Sequence, residues 1–457
     1  MTHDAAPTDV VLRDGSTVCL RAAGEQDAEA LLGFLQSLSP ESLYFRFLGL
    51  PSLTVSRVRA LTGTDGGGTT SLVVEAGGRL VGFAGFYRDP GSPERAEVAF
   101  AVSDALHGHG IGTRLLERLA GLARVEGIST FDAYVLGGNR RMLDVFRDSG
   151  FPVTTAVEHG ACHVVMPLVV TEHFTDKAAA RSRAAATASM KAFFNPRAVA
   201  VVGANRDRGK TGSEILHNIL AAGFTGSVVP VHPTAQEIEG LTAYPRVIDI
   251  PESIDLAIIV VPAAGVLAAV EDCLSKHVPA ICVISAGFGE CDAEGRAREA
   301  AVVERIRSAG ARLVGPNCMG LLNTDPAVRL NATLSAVCPP AGRVAMSTQG
   351  GALGLAILDY AARMHIGISS FVSVGNKPDV SGNDLIQYWA DDPATSVILL
   401  YLESFGNPRQ FSEIARRVGR TKPIVAVRAG RSRADPSHTG ALASSDAVVD
   451  ALFRQAV

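Results

Sequence analysis

Residues 106–116 (LHGHGIGTRLL) set three glycines at alternate positions, Gly108, Gly110 and Gly112. They lie between the apolar run 96–102 (AEVAFAV) and a stretch with Leu115, Leu116, Leu119 and Leu122 on one helical face. Strand, glycine turn, helix is an order in which backbone N–H groups and a positive helix end converge on an anion. Glycine leaves no side chain in the way, and a pyrophosphate is the natural guest. Three glycines also suit a plain tight turn, so the flanks must decide. A second set, Gly203, Gly209 and Gly212, follows the buried-strand pattern 198–203 (AVAVVG) and precedes a helical pattern at 213–222.

The elements that must position these loops read in order. Residues 10–20 alternate as a first strand, and 25–38 carry an apolar stripe at helical spacing through Ala28, Leu31, Leu32 and Leu35. Residues 42–47 form a short helix or turn. Strands at 71–75 and 80–87 flank the hairpin signal Ala76-Gly77-Gly78, and 96–102 enters the glycine loop. After it come an apolar segment at 131–136, Gly137-Gly138-Asn139, a helix through Met142, Leu143 and Phe146, and Gly150-Phe151 as its stop. Farther on, strands at 226–231, 256–261 and 280–285 alternate with helices, which predicts a parallel Rossmann-like sheet. A nicotinamide site there wants an acidic residue ending the second strand. The chain has Val231-His232-Pro233, which counts against one. Strands at 342–346, 371–375, 397–402 and 424–428 make a second doubly wound unit.

With 457 residues, 47% hydrophobic and 19% charged, the chain is expected to bury two or three cores. A net charge of −4, no long basic run and few aromatics argue against nucleic acid. No apolar run approaches the roughly 20 residues a bilayer span needs, and residues 1–10 lack signal-peptide features. Seven scattered cysteines without CxxC spacing predict free thiols and no metal site. A cytoplasmic protein is expected.

The first module resembles the GNAT acyltransferases, whose acetyl-CoA loop reads Q/R-x-x-G-x-G/A and is followed by Asn and a Gly-Phe pair. His107 stands where Gln or Arg is usual. The resemblance implies that His107, Gly108, Gly110, Gly112 and Thr113 hold the pyrophosphate and that Asn139 contacts the pantetheine arm. Acyl transfer to an amine needs the ammonium deprotonated, and related lysine acetyltransferases carry a glutamate on this strand as the candidate base; Glu97 takes that place here. A Tyr often four residues before the Gly-Phe pair, as acid for the departing thiolate, is Phe146.

The second module resembles the CoA-binding domain of NDP-forming acyl-CoA synthetases and the succinyl-CoA synthetase alpha subunit. The motifs are Gly203-Ala204, Val261-Pro262-Ala263, Ser285-Ala286-Gly287 and Gly315-Pro316-Asn317-Cys318, each following a strand. The implied CoA-binding residues are Gly203, Ala204, Val261, Pro262, Ser285 and Asn317. The third module is similar to the ligase domain of the same enzymes. Its phosphohistidine motif appears as Ser437-His438-Thr439-Gly440-Ala441, and its supporting glutamate as Glu403. Neutral imidazole attacks an acyl phosphate only when held in one tautomer, and a carboxylate on the other ring nitrogen does that. Thr348-Gln349-Gly350 replaces the more usual Ser-Gln-Ser.

The expected class is α/β: a GNAT fold at 1–168, a linker at 169–190, a CoA-binding Rossmann-like domain at 191–325, and a succinyl-CoA synthetase-like ligase domain at 335–457, truncated at its C-terminus. The resemblances imply an acetyl-CoA-dependent N-acetyltransferase acting on protein lysine, with an AMP-forming acyl-CoA synthetase as one candidate substrate, regulated by CoA-binding modules. The alternative is an NDP-forming acyl-CoA synthetase working through a phosphohistidine, with ATP or ADP handled by a separate ATP-grasp domain or subunit. A third reading is a CoA sensor in which both sites only bind.

Overall fold

The computed structural model describes residues 7–49, 51–63, 68–158, 160–404 and 408–428, and it divides into two compact units. The first is built on an eight-stranded sheet. Its spatial order is Thr8–Val11, Thr17–Ala22, Thr69–Ala76, Arg79–Asp89, Ser92–Val102, Thr130–Leu136, Ala161–Pro167 and Thr154–Glu158. The expected single strand at 10–20 is two strands, because Asp14-Gly15 turns the chain back and Asp14 accepts from the Ser16 amide. Every pairing is antiparallel except that of Ser92–Val102 with Thr130–Leu136. Helix Ile111–Val125 buries Leu115, Leu116 and Leu119 against Phe86 and Phe131 of the sheet. Its exposed face carries the charges, which is the pattern an amphipathic cover helix requires.

The parallel pair parts. Ser92–Val102 and Thr130–Leu136 are in register only from Arg95–Thr130 to Glu97–Asp132, although both strands continue. Past Glu97 the two backbones leave a wedge, and the glycine loop opens at its end.

The segment expected as a linker at 169–190 is largely helical. Glu172–Phe194 is one helix: Phe174 packs on Phe151, and Arg181 donates through Nε to Glu117 at 2.8 Å, both in the first unit. Its last turns bury Met190, Phe193 and Phe194 in the second unit's core. The apolar stripe is made largely of alanines, which carry little hydrophobic signal in sequence yet pack closely.

The second unit holds two large sheets, besides the short two-stranded pair Glu237–Ile238 and Leu241–Thr242, and a shared core that runs from Val199 and Val201 through Leu321 to Trp389 and Ile398. The first sheet is wholly parallel, ordered Ser227–Val231, Ala198–Val202, Leu256–Ile259, Ala280–Val283, Arg312–Val314. Its central strands are buried end to end, as continuous Val, Ile and Ala runs predict for a sheet covered on both faces. The second sheet is ordered Leu330–Thr333, Gly320–Asn323, Ile368–Ser373, Ala341–Thr348, Val397–Leu402, Ile424–Arg428. The hairpin of Gly320–Asn323 and Leu330–Thr333 pairs with this second sheet, so sheet pairing crosses the border expected at 325–335.

In both sheets the strand order reverses at one place. It lies between Ala198–Val202 and Leu256–Ile259 in the first, and between Ala341–Thr348 and Val397–Leu402 in the second. Such switch points open a crevice at the carboxyl edge of a doubly wound sheet.

Candidate active sites

The wedge of the first unit widens into a cleft of about 960 Å³. Glu97, Val98 to Val102, Ala133 to Val135, the glycine loop and the start of helix Arg140–Ser149 form its walls. Gly108 and Gly110 take φ of +83° and +93°, a region closed to most side chains, and Gly110 caps helix Ile111–Val125. The first intrahelical bond runs from the Arg114 amide to the Gly110 carbonyl, leaving the N–H groups of Ile111, Gly112 and Thr113 for a guest. A Cβ on Gly108 would meet nothing within 4 Å, so the space before these donors is open. Arg13, Arg46, Arg140 and Arg141 line the same cleft. The donor set fits a polyphosphate bearing a long, mostly neutral arm.

The sequence assigns His107 to the pyrophosphate loop and gives its ring no partner within the chain; the structure supplies two. His107 Nε2 lies 3.0 Å from the Val102 carbonyl, and Nδ1 lies 2.7 Å from Arg141 Nη1. Asn139 caps helix Arg140–Ser149, its Oδ1 accepting from the Met142 amide at 3.1 Å. The cap takes the oxygen of Asn139 and not its NH2 group. Glu97 is exposed at the last paired position of the wedge, opposite Tyr87, whose hydroxyl accepts from Arg46 at 3.2 Å. Phe146 is buried against Phe100 and offers no proton.

In the second unit the residues singled out from sequence fall at the first switch point and along its edge. Gly203 and Val261 leave adjacent strands there. A Cβ on Gly203 (φ +92°) would stand 3.0 Å from Val261 Cγ1 and 3.1 Å from the Val260 carbonyl group. Ala204 is buried directly behind. Ser285 Oγ donates to the Val261 carbonyl at 2.5 Å, tying the third loop to the second. Pro262 is the N-cap of helix Ala263–Ser275. Asn317 has φ +56° and donates to Asn376 Oδ1 at 3.3 Å. His232 Nδ1 accepts from the Thr234 and Ala235 amides, occupying the place of an acidic ribose ligand. All of these lie on the carboxyl edge, where the residues present suit a nucleotide-bearing thiol better than a dinucleotide.

At the second switch point Gly350 caps helix Gly351–Arg363, and a Cβ there would lie 3.6 Å from Glu403 Oε1. Gln349 is the pin. Its Oε1 accepts from the Glu403 and Ser404 amides, and its Nε2 donates to Ser404 Oγ at 3.2 Å. Glu403 itself is exposed, facing the helix N-terminus. His438 lies outside the described residues.

Lys377 was not singled out by chemistry in the sequence. It takes φ +58° and sends Nζ to Ser404 O at 2.6 Å and Ser404 Oγ at 2.9 Å. Burial pushes its ammonium down to about 8, against the nearby charge of Glu403, which favours the protonated form. Lys377 is therefore expected to lose its proton around pH 8, readable from its side-chain carbon shifts. In Glu403→Gln the midpoint should move lower still, since the carboxylate is what retains the proton. An unmoved midpoint would place the two groups out of contact.

Among the described residues no cluster of three or more His, Cys, Asp or Glu side chains is placed to hold a metal, and no helix is long and apolar enough to cross a membrane. The seven cysteines are free thiols, with Cys282 and Cys318 buried 3.7 Å apart.

Comparison with known proteins follows the same division. Residues 43–151 match the acetyltransferase (GNAT) family, 197–324 a CoA binding domain, and 341–457 the succinyl-CoA ligase like flavodoxin domain. Acetate–CoA ligase (ADP-forming) I of Archaeoglobus fulgidus is 45% identical over 270 residues, covering 58% of this chain and 39% of that protein. The alpha subunit of acetate–CoA ligase (ADP-forming) I of Pyrococcus furiosus is 42% identical over 275 residues, covering 58% of this chain and 59% of its own. The solved structure of the dinucleotide-forming acetyl-coenzyme A synthetase 1 of Ca. Korarchaeum cryptofilum, in complex with phosphate and ADP, is 44% identical. It has a TM-score of 0.55 and covers 58% of each chain. The chain thus spans 39 to 59% of the lengths of these relatives. It joins a GNAT-family acetyltransferase domain to the CoA-binding and succinyl-CoA ligase-like domains found in ADP-forming acyl-CoA synthetases.

Proposed function

We propose that the second unit carries the CoA-ligase half of an ADP-forming acyl-CoA synthetase, working through His438. The observation that carries this is the second switch point, where Gln349 pins Glu403 beside the capping Gly350 of a helix N-terminus. The similarity to ADP-forming acetate–CoA ligases supports it. In this reading a ring nitrogen of neutral His438 attacks the phosphorus of an acyl phosphate, the bond from phosphorus to the acyl oxygen breaks, and a carboxylate leaves. Glu403 holds the N–H of the other ring nitrogen. The N–H groups of helix Gly351–Arg363 and the Lys377 ammonium receive the phosphoryl charge. Exchange with ADP then needs an ATP-grasp partner, as a separate domain or subunit. CoA is held by the loops at Gly203, Val261 and Ser285.

The test uses phosphorus-labelled acetyl phosphate and the full chain. Acid-labile, base-stable label is expected, lost in His438→Ala and weakened in Glu403→Gln. No label from acetyl phosphate, and none from labelled ATP with an added ATP-grasp subunit, would end the ligase reading.

A second activity is favoured by a separate observation, the parted strands of the first unit with a polyphosphate cradle at their end. There Glu97 takes a proton from an acceptor ammonium, the nitrogen attacks the acetyl carbonyl, the bond from carbonyl carbon to sulfur breaks, and CoA leaves as a thiolate that takes its proton from water. The chain's donors at 111–113 and its arginines hold acetyl-CoA, which supplies the acyl thioester. A protein lysine is the acceptor class this reading names.

A further inference from the structure

The cleft of the first unit holds a cation, Arg141, that pairs with no carboxylate among the described residues. Arg141 donates through Nη1 to His107 Nδ1 at 2.7 Å, and among the described residues no aspartate or glutamate pairs with it. An imidazole can accept at Nδ1 only when that nitrogen carries a lone pair, so the proton of His107 is on Nε2, where the Val102 carbonyl takes it at 3.0 Å. The contrast with nearby arginines is physical. Arg95 spends its charge on Asp132, and Arg181 on Glu117. Arg141 is held by a neutral group, so its charge remains available in a cleft whose lining also includes Ile111, Gly112 and Thr113 at the helix N-terminus.

We propose that Arg141 is a phosphate ligand of this cleft, and that neutral His107 is the positioning residue that aims it. The inference rests on the acetyl-CoA reading of the cleft. Arg13 also lines the cleft, and His109 is turned toward Asp14 at 2.8 Å.

Occupancy must be read locally, because the second unit is expected to bind CoA as well. Hydrogen exchange of residues 106–116 in the full chain does this. Acetyl-CoA should protect the segment at about pH 8. Arg141→Gln should raise the concentration needed by about 10- to 100-fold, the usual size of a charge-assisted phosphate contact. His107→Phe should do the same. His107→Gln, which can accept from Arg141 and donate to Val102, should keep affinity within about threefold.

Two ligand arms identify the phosphate. If the Arg141→Gln penalty disappears with 3′-dephospho acetyl-CoA, the contact is to the 3′-phosphate. If it persists there but disappears with S-acetylpantetheine, the contact is to the pyrophosphate. A penalty that persists with S-acetylpantetheine shows a merely structural arginine and overturns the inference. So does an Arg141→Gln chain that binds acetyl-CoA like wild type, with the acetyl-CoA reading left standing. A wild-type chain in which acetyl-CoA protects nothing at 106–116 overturns that reading and the inference together.

Discussion

Glu97→Gln is expected to slow acetyl transfer by about 100- to 10,000-fold, the span a positioned general base contributes. Acetyl-CoA affinity should barely change. The two effects separate because the cradle donors lie past the point where the strands part, whereas Glu97 is the last residue still paired, opposite Asp132. The amide keeps the size and the sheet register but cannot take a proton, so the loss should be deepest where the amine is an ammonium and should shrink as pH rises to deprotonate the acceptor. Steady-state rates across about pH 6 to 9 with an amine acceptor, alongside hydrogen exchange at 106–116 for acetyl-CoA affinity, would read both. A full rate in Glu97→Gln at every pH would remove the carboxylate from the reaction. A parallel loss of cofactor protection would instead make Glu97 part of the wedge architecture.

The sequence exposed those features that depend on one residue type at one spot. Gly108 and Gly110 stand at positive φ, and only glycine occupies such positions at small cost, so the pattern announces the cradle. The strands that end at these loops were legible for a related reason, since the buried parallel strands of the first sheet read as runs of Val, Ile and Ala, whereas the strand order that makes the switch points was not. What stayed hidden depends on pairings that no local period encodes. The parting of the strands beyond Glu97 is a register event. The contact between His107 and Arg141 joins residues 34 apart in sequence. The helix Glu172–Phe194 buries Ala185, Ala186, Ser189 and Met190, small or unremarkable residues whose stripe looks like linker composition. The hairpin from Gly320 to Thr333 is two four-residue strands whose place in the sheet comes from pairing with Ile368–Ser373.

Arg312 is the deepest of these hidden residues, since an arginine in Ala311-Arg312-Leu313-Val314 reads as a surface residue at a strand start. Its side chain is 4% exposed, and Asp379 opposite is 8% exposed. Arg312 Nε donates to Asp379 at 3.0 Å, Nη1 to Ser189 Oγ at 3.0 Å, and Nη2 lies 3.5 Å from Asp384. Burial works against the charge, yet Asp379 and Asp384 more than offset it and hold the guanidinium more firmly protonated than usual. Asp379 also accepts from the Leu313 amide at 2.7 Å, so one carboxylate fastens the last strand of the first sheet to the 376–380 loop of the second site. Asp379→Asn is therefore expected to destabilise the second unit by about 3 kcal/mol, the lower end for breaking a buried pair, because Asp384 keeps part of the compensation. Trp389, the sole tryptophan, is fully buried in this unit, so its fluorescence during denaturation follows the second unit alone. Replacing Arg312 by Met together with Asp379 by Leu should recover much of the loss, since it removes both deeply buried charges and leaves only Asp384, which is partly exposed and still accepts from the Ser381 amide and hydroxyl. If Asp379→Asn unfolds with wild-type stability, the pair contributes no net stability and the junction of the two sheets rests on the apolar core around Leu321 and Trp389. If the double replacement is as unstable as the single, what matters is the geometry of the carboxylate on the Leu313 amide, and not its charge.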